Sequence, residues 1–138
     1  PNNKLRFKKR LYKYQTEINY RIYTGLTGYH VENDWYTLTE DGWLFIKKGY
    51  AWDGASGPTI DDETNYVPSL VHDVIYQMMR RNELPLSVKE YADDLLQTMM
   101  VERGASRLRA EIYHNGVTIG GASSCVPGTD DNNIIEVL

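Results

Sequence analysis

Five side chains able to do chemistry fall in the middle of the chain: Asp53 and Ser56 in "GYAWDGASGPTID", His72 and Asp73 in "SLVHDVIYQMMR", and Asp93 in "YADDLLQTMM". Gly54 and Gly57 relax the backbone around Asp53, so the loop can present an acid and expose amides to an anion. The competing reading is local: Asp53 and Ser56 close an Asx-type turn while Trp52 plugs the core. Gly54-Ala55-Ser56-Gly57 lacks a spacer on each side of the serine, so it is not the Gly-x-Ser-x-Gly elbow of a hydrolase.

His72 and Asp73 are neighbours on a helix, about 100° apart around its axis, so one of them must face a cleft or solvent. His72 shares its side with Tyr76 and Met79, and Asp73 shares its side with Gln77 and Arg80. Taken singly, His72 reads as a core-edge imidazole and Asp73 as an ion-pair partner of Arg80. Asp93 lies close to the apolar stripe of a second helix, which is costly for a carboxylate unless a cation, an amide or a metal meets it. Packed together, Asp53, His72, Asp73 and Asp93 suit a divalent cation or acid–base chemistry. Their spacing matches no strong ligand motif of the His-Glu-x-x-His kind.

The elements that must position these groups are legible from periodicity. "YQTEINYRIY" alternates, with Tyr14, Thr16, Ile18, Tyr20 and Ile22 on one side, and reads as a half-buried strand. "HVENDWYTLT" and "EDGWLFIKK" read as two further strands joined at Asp41-Gly42, a dipeptide suited to tight hairpins. After the glycine-rich loop the period becomes helical, and the spacing predicts helices over about 68–81, from a Ser87–Glu90 capping box to about Gly104, and from Ser106 to Gly120-Gly121. The second helix should bury Val88, Ala92, Leu95, Leu96 and Met99, and the third Leu108, Ile112, Tyr113 and Val117. The expected class is α+β: a small antiparallel N-terminal sheet followed by about three packed helices, one domain over 1–121 with a C-terminal tail over 122–138.

Composition narrows the function. The 138 residues contain 11 Tyr against two Phe, which suits surfaces that meet partners. The net charge of −4 gives no reason to expect dedicated nucleic-acid binding. Charge is uneven: Lys4, Arg6, Lys8, Lys9, Arg10 and Lys13 form a basic arm, while Asp130, Asp131 and Glu136 lie in an acidic tail. These segments are either solvated or meet a protein partner, through the Tyr-rich N-terminal strands and the C-terminal tail. One cysteine, Cys125, allows no intrachain disulfide. No apolar run reaches the roughly 20 residues of a membrane span, and no apolar stretch follows the basic N-terminus as in a secretory signal, so a cytoplasmic chain is expected. Pro1 is expected to follow a removed initiator methionine.

The same fragments, "GYAWDGASGPTID", "SLVHDVIYQMMR", "YADDLLQTMMVERGASRLRAEIY" and "GVTIGG", resemble the DUF1353 family of small phage and prophage proteins over about Trp43 to Gly120. Asp53, Gly54, Ala55 and Ser56 match its loop, His72, Asp73 and Tyr76 its His-Asp helix, and Asp93 its Ala-Asp helix. Ser56-Gly57-Pro58 replaces the usual Ser-Ile-Pro and departs from the pattern. The resemblance implies a phage-type protein, placed in the cytoplasm of an infected bacterial host or in the virion, with one polar site and no stated reaction. The favoured expectation is a hydrolase, metal-assisted or acid–base, using Asp53, His72, Asp73 and Asp93 with a divalent cation as candidate cofactor. The alternatives are a virion or assembly protein in which the cluster is a polar staple, and an inhibitor of a host protein.

Overall fold

The computed structural model describes residues 14–52 and 62–129. Antiparallel strands come first and three helices follow, so the α+β class is observed. Contacts divide the chain into two compact units, one containing the strands and one the helices.

In the first unit, β1 (Tyr14–Gln15) pairs with β6 (Ala51–Trp52) as a short ribbon. The strands β2 (Tyr20–Tyr23), β3 (Val31–Glu32), β4 (Tyr36–Leu38) and β5 (Trp43–Ile46) form an antiparallel sheet in the order β2-β5-β4-β3. Alternation sorts its faces: Val31, Tyr36, Leu38, Leu44 and Ile46 are buried, whereas Arg21, Tyr23 and Phe45 are exposed on the opposite face. The Asp41-Gly42 turn joins β4 to β5 as expected, because Gly42 sits at φ +96° and any Cβ there would come within 3.1 Å of the Gly25 backbone.

Two sequence readings are corrected here. "YQTEINYRIY" is not one strand: the chain leaves the ladder between Gln15 and Tyr20, and Ile18 is 58% exposed. Buried Thr16 exchanges backbone bonds with Tyr50 and Gly49, and its hydroxyl donates to the Lys47 carbonyl and accepts from the Tyr50 amide. The Asn19 side chain meanwhile accepts from the Lys48 amide at 2.7 Å. These local bonds bend the segment. "HVENDWYTLT" is likewise two strands, because the Asn33 side-chain oxygen Oδ1 accepts from the backbone amides of Trp35 and Tyr36 and turns the chain.

In the second unit, α1 (Tyr66–Arg80), α2 (Lys89–Glu102) and α3 (Arg107–Gly120) pack in sequence, α2 touching both others. A 3-10 turn at Ala122–Cys125 follows α3 and touches α1 and α3. Most of α1 is buried, including Leu70, Val71, Val74, Ile75, Met78 and Met79. Leu96 and Met100 of α2 close a cluster with Ala110 and Tyr113 of α3. The capping box at Ser87–Glu90 does not form: a 3-10 turn over Leu86–Val88 leads into α2, and no side chain caps either element. Ser106 does cap α3, accepting from the Arg109 amide at 3.1 Å. The stripe expected on α3 is also corrected, since Leu108 and Ile112 are 68% and 57% exposed and Ala110 and Tyr113 are the buried positions.

Candidate functional site

The polar centre of the helical unit is Asp93. It lies one turn into α2 and only 2% of it is exposed. Its Oδ1 accepts from the Tyr76 hydroxyl at 2.6 Å and from His72 Nε2 at 2.8 Å, both on α1 and one turn apart. Its Oδ2 accepts from Lys89 Nζ at 2.7 Å, one turn earlier on α2. The same ammonium donates to the Val117 carbonyl at 3.2 Å, on the last turn of α3, where orphan carbonyls and the negative end of the helix dipole favour a cation. The Asp93 carboxylate thus ties α1 to α2, and Lys89 extends the link to α3.

Packing supports this grouping. The rings of His72 and Tyr76 lie 4.0 Å apart, which fixes both side chains against each other. Gly121 follows α3, and a Cβ there would overlap the Val117 carbonyl and come within 2.6 Å of the Tyr76 oxygen. The absence of a side chain at position 121 is what lets Tyr76 reach Asp93. Cys125, buried beside this group, donates to the Gly121 and Ala122 carbonyls, and burial pushes its thiol up.

The electrostatics follow from competing effects. Burial pushes the Asp93 carboxyl up and is the largest single influence. The hydrogen bonds from His72, Lys89 and Tyr76 together outweigh it, so the group is held below the usual carboxylate range and is anionic near neutrality. Burial, and then the bond to Asp93, raise the Tyr76 hydroxyl well above its ordinary value, so it remains a protonated donor.

The sequence candidates are placed as follows. His72 and Asp93 are brought into direct contact. Asp73 is half-buried on the adjacent side of α1, near enough to add negative potential at Tyr76. Asp53, with Gly54, Ala55 and Ser56, lies outside the described residues. Asp94, next to Asp93, points away and meets His114 of α3 at 2.8 Å. Lys89 was missed as a member of the group, although Lys89 and Asp93 stand four residues apart on one helix, the spacing at which opposite charges meet.

A second polar network closes the other end of α1 and α3. Fully buried Asn65 donates to the Tyr113 hydroxyl at 2.6 Å and accepts from the Asp62 amide at 3.0 Å. Arg109 bonds Asp62, Thr64 and the Tyr113 hydroxyl. The Asp62 carboxyl is lowered to about 2, first by the Thr64 hydroxyl and then by Arg109.

Among the described residues, no three His, Cys, Asp or Glu side chains come together as a metal would need. A cation at Asp93 would have to displace the Lys89 ammonium from one oxygen, or the Tyr76 and His72 donors from the other. What the group can do as it stands is hold a buried charge and order three helices.

The fold and site define an α+β protein whose helical unit is built around one satisfied, buried carboxylate. A family model described as "Protein of unknown function (DUF1353)" matches residues 29–117, more than half of the chain, and the chain belongs to that family. The match begins upstream of the fragments that carry the resemblance in the sequence. No curated protein and no solved structure matches the chain.

Proposed function

We propose that this is a non-enzymatic binding or assembly protein in which Asp93, His72, Tyr76 and Lys89 form a structural staple. One observation carries the reading: every oxygen of a carboxylate that is 2% exposed is already spent on protein donors. A buried charge satisfied in this way specifies one arrangement of helices, whereas a carboxylate that binds a metal or itself acts on substrate needs an oxygen open to the ion or the substrate. The resemblance to small phage and prophage proteins supports virion assembly as the setting of this reading.

Thermal unfolding of the purified chain with and without millimolar Mg²⁺, Mn²⁺ or Zn²⁺ tests this. The reading predicts no saturable cation-induced rise in Tm for the wild type and a large fall in Tm for Asp93→Asn. A saturable rise that Asp93→Asn abolishes would transfer the group to the metal-assisted hydrolase reading.

A second reading, acid–base hydrolysis, has its own support. No described residue bonds Nδ1 of His72, and the Ser69 hydroxyl, three residues earlier on α1, is buried without a partner. An aspartate holding one imidazole nitrogen leaves the other as a base. Turnover of a nitrophenyl ester that His72→Gln abolishes without unfolding the chain would establish it.

A further inference from the structure

A surface helix normally buries its apolar residues and turns polar ones to solvent, and α3 departs from that rule. Leu108, Ile112 and Ile119 are all more than half exposed, Ile119 at 84%. With Asn115 they recur at spacings of four, three and four residues, which puts all four side chains within an arc of about 60°. Ala110 and Tyr113, the buried positions, face the other way. Single apolar side chains scattered on a surface are ordinary, but these share one side of one helix. They form a patch on the order of a few hundred Å², the size at which a surface marks a contact. No charged residue interrupts the stripe.

The order of large and small residues along the stripe selects what can cover it. Gly116 sits in mid-helix beside Asn115, with open space where a Cβ would stand. Position 114 is a point of symmetry: Ile112 and Gly116 lie two residues to either side of it, and Leu108 and Ile119 six and five residues. A second α3 running antiparallel across a two-fold axis at that point sets Ile112 of each copy against Gly116 of the other, a side chain into a gap, and Leu108 of each against Ile119 of the other. Such self-fit is what a two-fold contact requires, since one surface must carry both the knob and the gap. Asn115 then stands next to the axis and meets its own counterpart, and a carboxamide, donor and acceptor at once, pairs with a copy of itself. A parallel pair in register would lay Gly116 on Gly116 and leave the gap empty. The one acid of α3, Glu111, falls nearest Thr118 of the other copy, so like charges do not meet across the axis.

We infer that this chain self-associates through α3, two copies packing antiparallel about a two-fold axis near position 114. The spacing of four and three along the stripe is that of side chains entering holes between paired helices. α3 has 14 residues and is about 21 Å long, so two such helices cover roughly 450 Å² on each copy, against the ~800 Å² of a standard interface. A contact of that size holds in the micromolar range, and the dimer forms and dissociates with concentration.

Sedimentation velocity on the full chain between about 5 and 500 µM tests this, and the weight-average mass should rise toward that of two chains. Ile112→Glu, at an exposed position, should weaken association by about tenfold or more and leave thermal unfolding at low concentration unchanged. Gly116→Ala fills the gap while favouring the helix, so it should weaken association without lowering Tm at low concentration. Orientation is read from single introduced cysteines under mild oxidation, because the native Cys125 is buried. Asn115→Cys should crosslink to its own copy, whereas Leu108→Cys, about 18 Å from its counterpart in the antiparallel pair, should not. A chain that stays monomeric across the whole range overturns the inference and leaves the stripe to a partner of different sequence. Association that Ile112→Glu does not weaken also overturns it, by placing the contact on another surface. Self-crosslinking of Leu108→Cys without that of Asn115→Cys contradicts the antiparallel pair.

Discussion

Removing the Asp93 carboxylate is the most informative perturbation of the helical unit. In Asp93→Ala, a tyrosine hydroxyl, an imidazole and an ammonium that now sit 2.6 to 2.8 Å from the carboxylate lose their acceptor together. Breaking a buried charged network by deleting one partner costs about 3–5 kcal/mol. Lys89 lowers that figure, because its side chain is 21% exposed and keeps the Val117 carbonyl at 3.2 Å, so the lower end, about 3 kcal/mol, is expected. For a chain of this size each kcal/mol moves Tm by roughly 4 °C, which predicts a fall of roughly 12 °C. Asp93→Asn keeps an acceptor for Tyr76 and His72 but turns an amide donor toward Lys89, and should cost about 2 kcal/mol. Urea unfolding followed by far-UV circular dichroism measures both. An Asp93→Ala variant within about 0.5 kcal/mol of the wild type would refute the reasoning, since that is the scatter of inconsequential surface changes.

Gly121→Ala should destabilise by about 1–3 kcal/mol in the same assay, because the new methyl group meets the Val117 carbonyl and the Tyr76 hydroxyl. Tyr76→Phe removes one hydrogen bond to a buried carboxylate without opening a cavity and should cost about 1.5 kcal/mol. Because the Asp93 carboxyl is lowered in the folded chain, its contribution is fully present above its ordinary value of 3.8 and is lost as pH falls through the folded value; acid titration of Asp93→Asn should therefore show a shallower fall in stability below pH 3.8 than the wild type. Asp62, lowered to about 2, adds to the same limb with the same sign, and Asp62→Asn should remove its share between pH 3.8 and about 2.

Where the sequence was legible, one local rule decided the outcome. Asp41-Gly42 demanded a positive φ and became the β4–β5 turn, and Gly104, at φ +102°, ends α2 as its position predicts. The alternation of Tyr14, Thr16, Tyr20 and Ile22 survives in the burial pattern, but Thr16, Asn19 and Asn33 bond nearby backbone and break the long strands, an outcome that hydrophobic period does not register. On α3 both sides carry apolar residues, so periodicity alone cannot tell Ala110 and Tyr113 from Leu108 and Ile112; the choice is made by α2, which supplies Leu96 and Met100 to one side. The contact between His72 and Asp93 was foreshadowed by the awkwardness of a carboxylate near an apolar stripe. Lys89 was hidden because it stood inside an expected capping box, and its role depends on α3 carbonyls that only the fold brings near.

The carboxyl carbon of Asp93, followed by NMR in a chain labelled at aspartate, tests the central claim most directly. A group spent on three internal donors should stay ionised as pH falls past 3.8 and should not move when millimolar Mg²⁺ or Mn²⁺ is added. A signal that titrates at or above 3.8, or that shifts or broadens saturably with either cation, would show an open carboxylate and contradict the staple.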